Sequence, residues 1–169
     1  MILNNSVNAG GFIYCMAYFG PKETGAYLNS GDGHFHQYFY VVDGRCIAEI
    51  KDDKDSEPIA VYRTEELDRL VNQESLRGKY TCIKTQDSGI SIMFFNPIPE
   101  TRNLMVEILQ GSTKKTITAS DKRITLIAIT GPIKANDKTL ESLQHAKIFP
   151  GKTVELTLPE YTTCALVTG

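Results

Sequence analysis

β-Branched side chains dominate this chain: 16 Thr, 16 Ile and 8 Val among 169 residues. Such side chains are stiff at χ1 and pack well on a pleated surface, so a chain about a quarter β-branched favours strands over helices. The apolar residues fall into many short runs. Strand-like segments are Gly11–Phe19, Gln37–Val42, Arg45–Ile50, Pro58–Tyr62, Lys79–Thr85, Ile90–Phe95, Leu104–Leu109, Thr116–Ala119, Arg123–Thr130, Ala146–Phe149, Thr153–Leu158 and Thr163–Val167. In Thr153–Leu158 the apolar residues occupy every second position, the period of a strand buried on one face. Turn residues separate the runs. Asp43-Gly44 reads as a hairpin turn, and Ser88-Gly89, Gly131-Pro132, Asn136-Asp137 and Pro150-Gly151 mark other reversals.

Helical signal is sparse. Thr64 can cap the run 65–72, where Leu67, Leu70 and Val71 share a face and Glu65 and Glu66 lie in the first turn. A second helical turn is expected over Leu140–Gln144, and the charged stretch Lys51–Glu57 reads as a solvated loop. Many short strands, frequent turns and one short helix imply an all-β sandwich or barrel. The length suits one domain over 1–169; the alternative is two lobes divided near 96–103, where Asn96-Pro97-Ile98-Pro99 punctuates the chain.

A net charge of -2 argues against a dedicated nucleic-acid binder, which needs a basic face. No apolar run has membrane-spanning length, and the N-terminus lacks a secretory pattern. Cys15, Cys46, Cys82 and Cys164 are widely spaced in apolar surroundings with no Cys-x-x-Cys pair, so they read as small buried hydrophobes of a reduced, cytoplasmic protein. Nucleophile elbows, phosphate loops and dinucleotide fingerprints are missing.

The most informative segment runs from Gly31 to Arg45. It places a Gly-rich turn, His34-Phe35-His36, the aromatic run Gln37–Tyr40 and Asp43-Gly44 in succession. On an extended strand His34 and His36 share one face, where two imidazoles can hold a divalent transition metal if a further ligand converges. These residues resemble the cupin superfamily: Gln37–Gly44 followed by Arg45–Ile50 is similar to its strand–Gly turn–strand motif. Leu126–Gly131, then Ala146–Gly151 and Val154–Leu156, are similar to its repetition and the Pro-Gly turn after it. The resemblance implies a jelly-roll barrel with one short helix, an interior that holds a metal or a small ligand, and homo-oligomers joined strand to strand.

Within that resemblance Gln37 takes the position of the family's metal-binding Glu, and Glu155 that of the His in the later motif. His34 and His36 fall a few residues later than the family's His-x-His, and their strand parity differs from that of Gln37. The metal site thus reads as degenerate, with His34, His36 and Gln37 as its candidate ligands. The plain alternative is that the two His bond backbone or pack with Tyr38 and Tyr40. Tyr14, Tyr18, Tyr27, Tyr38 and Tyr40 suit a core, an interface or a ligand pocket; Tyr38, Tyr40 and Glu155 are the ligand-binding candidates. His145 reads as an exposed loop residue and Arg102 as a surface Arg that can also meet an anionic substrate. Three functions stay open: a small-molecule-binding cupin without clear catalysis, a metal-dependent cupin enzyme acting on a sugar or small acid, and a non-catalytic assembly module.

Overall fold

In the computed structural model, residues 2–3, 6–21, 24–27, 38–64, 79–85, 89–99 and 102–169 are described. The predicted helix at 65–72 lies outside them, as do His34, His36 and Gln37. The chain divides into two compact units, Met1–Arg102 and Asn103–Gly169.

In the first unit β3 (Phe12–Phe19), β9 (Ile90–Pro97) and β5 (Tyr38–Asp43) lie side by side, with β1 (Ile2–Leu3) and β2 (Val7–Asn8) also paired to β3. A second sheet has the order β4 (Thr24–Tyr27), β8 (Tyr80–Thr85), β6 (Cys46–Lys51), β7 (Ala60–Arg63). Its core joins inward residues of both sheets, among them Ala17, Phe19, Phe39, Ala48, Ile83, Ile92 and Phe94. The alternate residues of the first sheet, Phe12, Tyr14, Tyr38, Met93 and Phe95, are buried as well. Burial on both faces explains the nearly unbroken apolar composition of β3 and β9, where a sheet wetted on one side would alternate.

The second unit pairs β10 (Met105–Gln110), β17 (Thr163–Thr168), β12 (Ile124–Thr130) and β15 (His145–Ile148) in that order. Its other sheet has the order β11 (Thr113–Thr118), β16 (Thr153–Leu158), β13 (Ile133–Ala135), β14 (Lys138–Leu140). Leu126, Ile133, Ile148, Leu156, Cys164 and Leu166 are in its core. In β16 the alternation read from the sequence appears as burial, with Val154, Leu156 and Leu158 less exposed than Thr153 and Glu155.

The two units share one strand order. Counting from β3 and from β10, the first strand neighbours the last and the third lies beyond it; the second, penultimate, fourth and fifth form the other sheet. This is jelly-roll connectivity, and every described pairing is antiparallel.

Several local readings need correction. Asp43-Gly44 is no hairpin: β5 pairs with β9 while β6 pairs with β7 and β8, so the chain turns a corner between sheets. Gly44 has φ +94, and a Cβ there would stand 2.3 Å from the Gly89 carbonyl oxygen. The expected helical turn at Leu140–Gln144 is also absent. Leu140 ends β14, and Leu143 has φ 66, in the left-handed region where no α-helix continues. Thr64 Oγ1 accepts from the Cys46 N–H at 2.8 Å and donates to the Cys46 carbonyl at 3.2 Å, tying the end of β7 to β6. His145 is half-buried in β15, not in a loop, because it extends the ladder opposite Ile127. Cys15 is only partly buried, unlike the other three thiols.

Candidate functional site

Tyr38 and Tyr40 lie on β5 and belong to the first unit. The inward residues of that strand are Phe39 and Val41, so Tyr38 and Tyr40 occupy the opposite face. Tyr38 is buried, its ring meeting Phe95 edge-on with centroids 5.7 Å apart, while Tyr40 is half-buried. Arg102 lies with its guanidinium over Gly11, where a Cβ would come within 2.6 Å of Nη1.

Glu155 belongs to the second unit and faces out of its sandwich. Its carboxylate accepts from Thr116 Oγ1 at 2.9 and 3.1 Å on the neighbouring strand. The inward place at that level is taken by Val154, packed against the core. Thus the position that the family resemblance gives to a metal ligand holds a carboxylate directed to the outer surface.

A cavity of about 340 Å³ opens in the second unit between its two sheets. Leu126, Ala135, Ile148 and Val154 form its apolar floor, the inward residues of β12, β13, β15 and β16. Its lips are the outermost strands of the two sheets, β15 carrying Lys147 and β14 carrying Lys138, with Asn136 and Asp137 at the hairpin tip between β13 and β14. Asn136 fixes that tip. Its N–H donates to the Glu155 carbonyl at 2.8 Å, and its Oδ1 accepts from the Glu155 N–H at 2.8 Å. Asn136 itself has φ 53, a conformation Asn tolerates better than most residues. Burial, then the charges of Lys147 and Lys138, hold the His145 imidazole below its ordinary pKa, so it is neutral at neutral pH.

This site was not legible in advance. Asn136-Asp137 reads as a turn in the sequence, but the three-residue strands flanking it are too short to show a period. The apolar floor also looks like any other core. A second, more polar recess of about 370 Å³ lies at the corner formed by Gln110–Ser112 and Glu160–Thr163, beside Tyr161, which is 89% exposed.

The described residues offer a metal little. Among them no group of three or more His, Cys, Asp or Glu could hold an ion. The cavity of the second unit has Asp137 as its one carboxylate and hydrocarbon at its floor, with no His or Cys in its lining, a donor set that does not fit a divalent cation. Cys164, on β17, is no thiolate at neutral pH, because burial pushes its pKa up to about 12.

Comparison with solved structures defines the class: the fold is a cupin-type jelly roll. The chain is similar to YhaK from Escherichia coli, with TM-score 0.58 and 11% identity over 94% of this chain and 86% of that one. It is also similar to PA5104, a conserved protein of unknown function from Pseudomonas aeruginosa, with TM-score 0.59 and 14% identity over 94% and 81% of the two chains. HutD from Pseudomonas fluorescens gives TM-score 0.54 at 12% identity, covering 94% and 78%. At these identities the likeness concerns the fold. No protein-family model matches the sequence, and no curated protein matches it. Among the described residues no helix is long and apolar enough to cross a membrane.

Proposed function

We propose that the chain is a cupin-like small-molecule-binding protein whose ligand enters the cavity of the second unit. The observation that carries this reading is the cavity itself: about 340 Å³, an apolar floor, and a few polar groups gathered at the mouth. Ligand sites of small molecules have this composition and begin at roughly 300 Å³. The test is an NMR titration of the full chain with small alcohols and acids. Binding shifts the amides of Leu126, Ala135, Ile148 and Val154, and Val154→Phe, which fills the floor, abolishes the shifts. If no compound in such a panel perturbs those amides, the reading fails.

The metal-dependent enzyme is the second reading, favoured by the His34-Phe35-His36 pair with Gln37 beside it. Elemental analysis of the purified protein tests it. Stoichiometric iron, manganese, nickel or zinc that is lost in the His34→Ala/His36→Ala variant supports it; protein that takes up no metal when supplied rejects it.

Self-association belongs to the same proposal. Strand β7 is outermost among the described strands of its sheet, with Ile59 and Val61 more than half exposed, and such an edge favours strand-to-strand pairing. Mass in solution decides the point: a dimer converted to monomer by Val61→Lys supports it, and a monomeric wild type rejects it.

A further inference from the structure

We propose that the corner where β10 runs into β11 and β16 into β17 is a carbohydrate-binding site, with Tyr161 as the platform on which a neutral pyranose ring stacks. The recess there, about 370 Å³, is lined by residues 110–112 and 160–163. Gln110 pairs with Thr163 in one sheet and Thr113 with Leu158 in the other, so the two connections cross between sheets side by side. They are pressed together, since a Cβ on Gly111 would collide with the Pro159 carbonyl oxygen. That oxygen accepts from the Thr162 hydroxyl at 2.6 Å, the Thr162 N–H at 3.3 Å and the Ser112 N–H at 3.4 Å. The corner is thus a fixed frame.

Within that frame Tyr161 breaks a local rule. The bond from the Thr162 N–H to the Pro159 carbonyl closes a turn whose third residue is Tyr161, with φ 62. A turn of this kind calls for glycine at that place, and another residue holds the conformation only against strain. Tyr161 is also 89% exposed. No hydrogen bond or ring contact among the described residues offsets either term. Ser112, on the other side of the recess, has φ 61. Two of the four described non-glycine residues with positive φ therefore line this one recess. Strain gathered at a recess, with an aromatic ring left uncovered beside it, is the arrangement of a ligand contact.

The lining selects the ligand. It holds no Lys, Arg or His, and Glu160 is its one charge, so an anion finds no partner and meets a carboxylate. The hydroxyls of Ser112 and Thr163 and the Glu160 carboxylate have no side-chain partner among the described residues. Groups of these types bond hydroxyls, as acceptors from a ligand O–H and, for Ser and Thr, as donors too. A pyranose supplies both halves of the match: C–H groups on a ring face for Tyr161, and hydroxyls at the ring edge for the polar groups.

The experiment is an NMR titration of the full chain with the methyl glycosides of glucose, galactose and mannose, with tetramethylammonium and acetate run in parallel. At least one glycoside is expected to shift the amides of Gly111, Ser112, Tyr161 and Thr162. Tyr161→Gly is expected to weaken that glycoside about tenfold, the worth of one aromatic contact. The same variant is expected to have a raised urea midpoint, because glycine relieves the strain, which also shows that it is folded. Tyr161→Phe keeps the ring and is expected to keep most of the affinity. Val154→Phe, which fills the other cavity, is expected to leave the shifts as they are, so this site and that one are tested separately. Absence of shifts at the corner with all three glycosides overturns the proposal. Larger shifts with tetramethylammonium or acetate overturn it in favour of a charged ligand. Unchanged glycoside affinity in Tyr161→Gly overturns the stacking role. Shifts that depend on protein concentration alone overturn the proposal and assign the corner to self-association.

Discussion

Gly44 shows how a single residue fixes a crossing between sheets. Its φ of +94 belongs to a region that L side chains rarely adopt, and its missing Cβ makes room for the Gly89 carbonyl. Backbone cannot move aside as a flexible side chain does. Gly44→Ala is therefore expected to lower unfolding free energy by about 2 kcal/mol or more, measured by urea denaturation. Tyr14 offers a different test. Burial raises its phenol from 10.0 to about 12, so the neutral form is favoured in the folded state. The folded value lies above the unfolded one. The linked stability is thus complete below pH 10 and is lost as pH rises through about 12. Cys164, raised from 9.0 to about 12, acts in the same direction from a lower starting pH. Urea midpoints are expected to fall between pH 9 and 12, and Tyr14→Phe should reduce the fall between pH 10 and 12. A slope unchanged in that variant would reject the assignment to Tyr14.

Elements explain what could and could not be read from the amino-acid order. The alternation in Thr153–Leu158 is visible because the sheet containing β16 is buried on one face. The ends of β3 were legible to within one residue, as was the start of β9, but β9 runs on through Asn96 and Pro97, which read as punctuation and instead pair with Ile13 and Phe12. Strand partners were not legible: Asp43-Gly44 satisfies the local rule for a hairpin, yet β5 and β6 find their ladders with strands distant in sequence. Strands β13 and β14, at three residues each, fall below the length at which a period can be counted. The cavity therefore escaped notice, because its mouth is built on that hairpin and its floor resembles core. The all-β jelly-roll class was legible from the many short β-branched runs and the turn residues between them. The hairpin itself carries a prediction. Asn136→Ala loses the bond from the Glu155 N–H and places a Cβ-bearing residue without Asn's tolerance at φ 53. A loss of about 1–2 kcal/mol is expected. Asn136→Gly, which keeps the conformation and loses only the side-chain bond, should cost less, and equal losses would show that the backbone conformation is not the larger cause.

At the scale of the whole molecule, the division at Arg102–Asn103 matters most. Every described strand ladder closes within one unit or the other, so among the described residues no ladder hydrogen bond spans this junction. A six-residue Gly-Ser insertion between Arg102 and Asn103 is expected to leave the far-UV circular dichroism unchanged and to lower stability by about 1 kcal/mol or less, since loop closure depends weakly on length. Loss of strand signal in that variant would show that the junction has a structural role of its own. The shared strand order of the units also bears on how such a chain can change over generations. Two interiors drawn to one plan give redundancy: a substitution that blocks one interior leaves the other intact. In the second unit Val154 turns inward and Glu155 outward, so a change at Val154 alters that interior while the core of the first unit, built from other strands, keeps its residues.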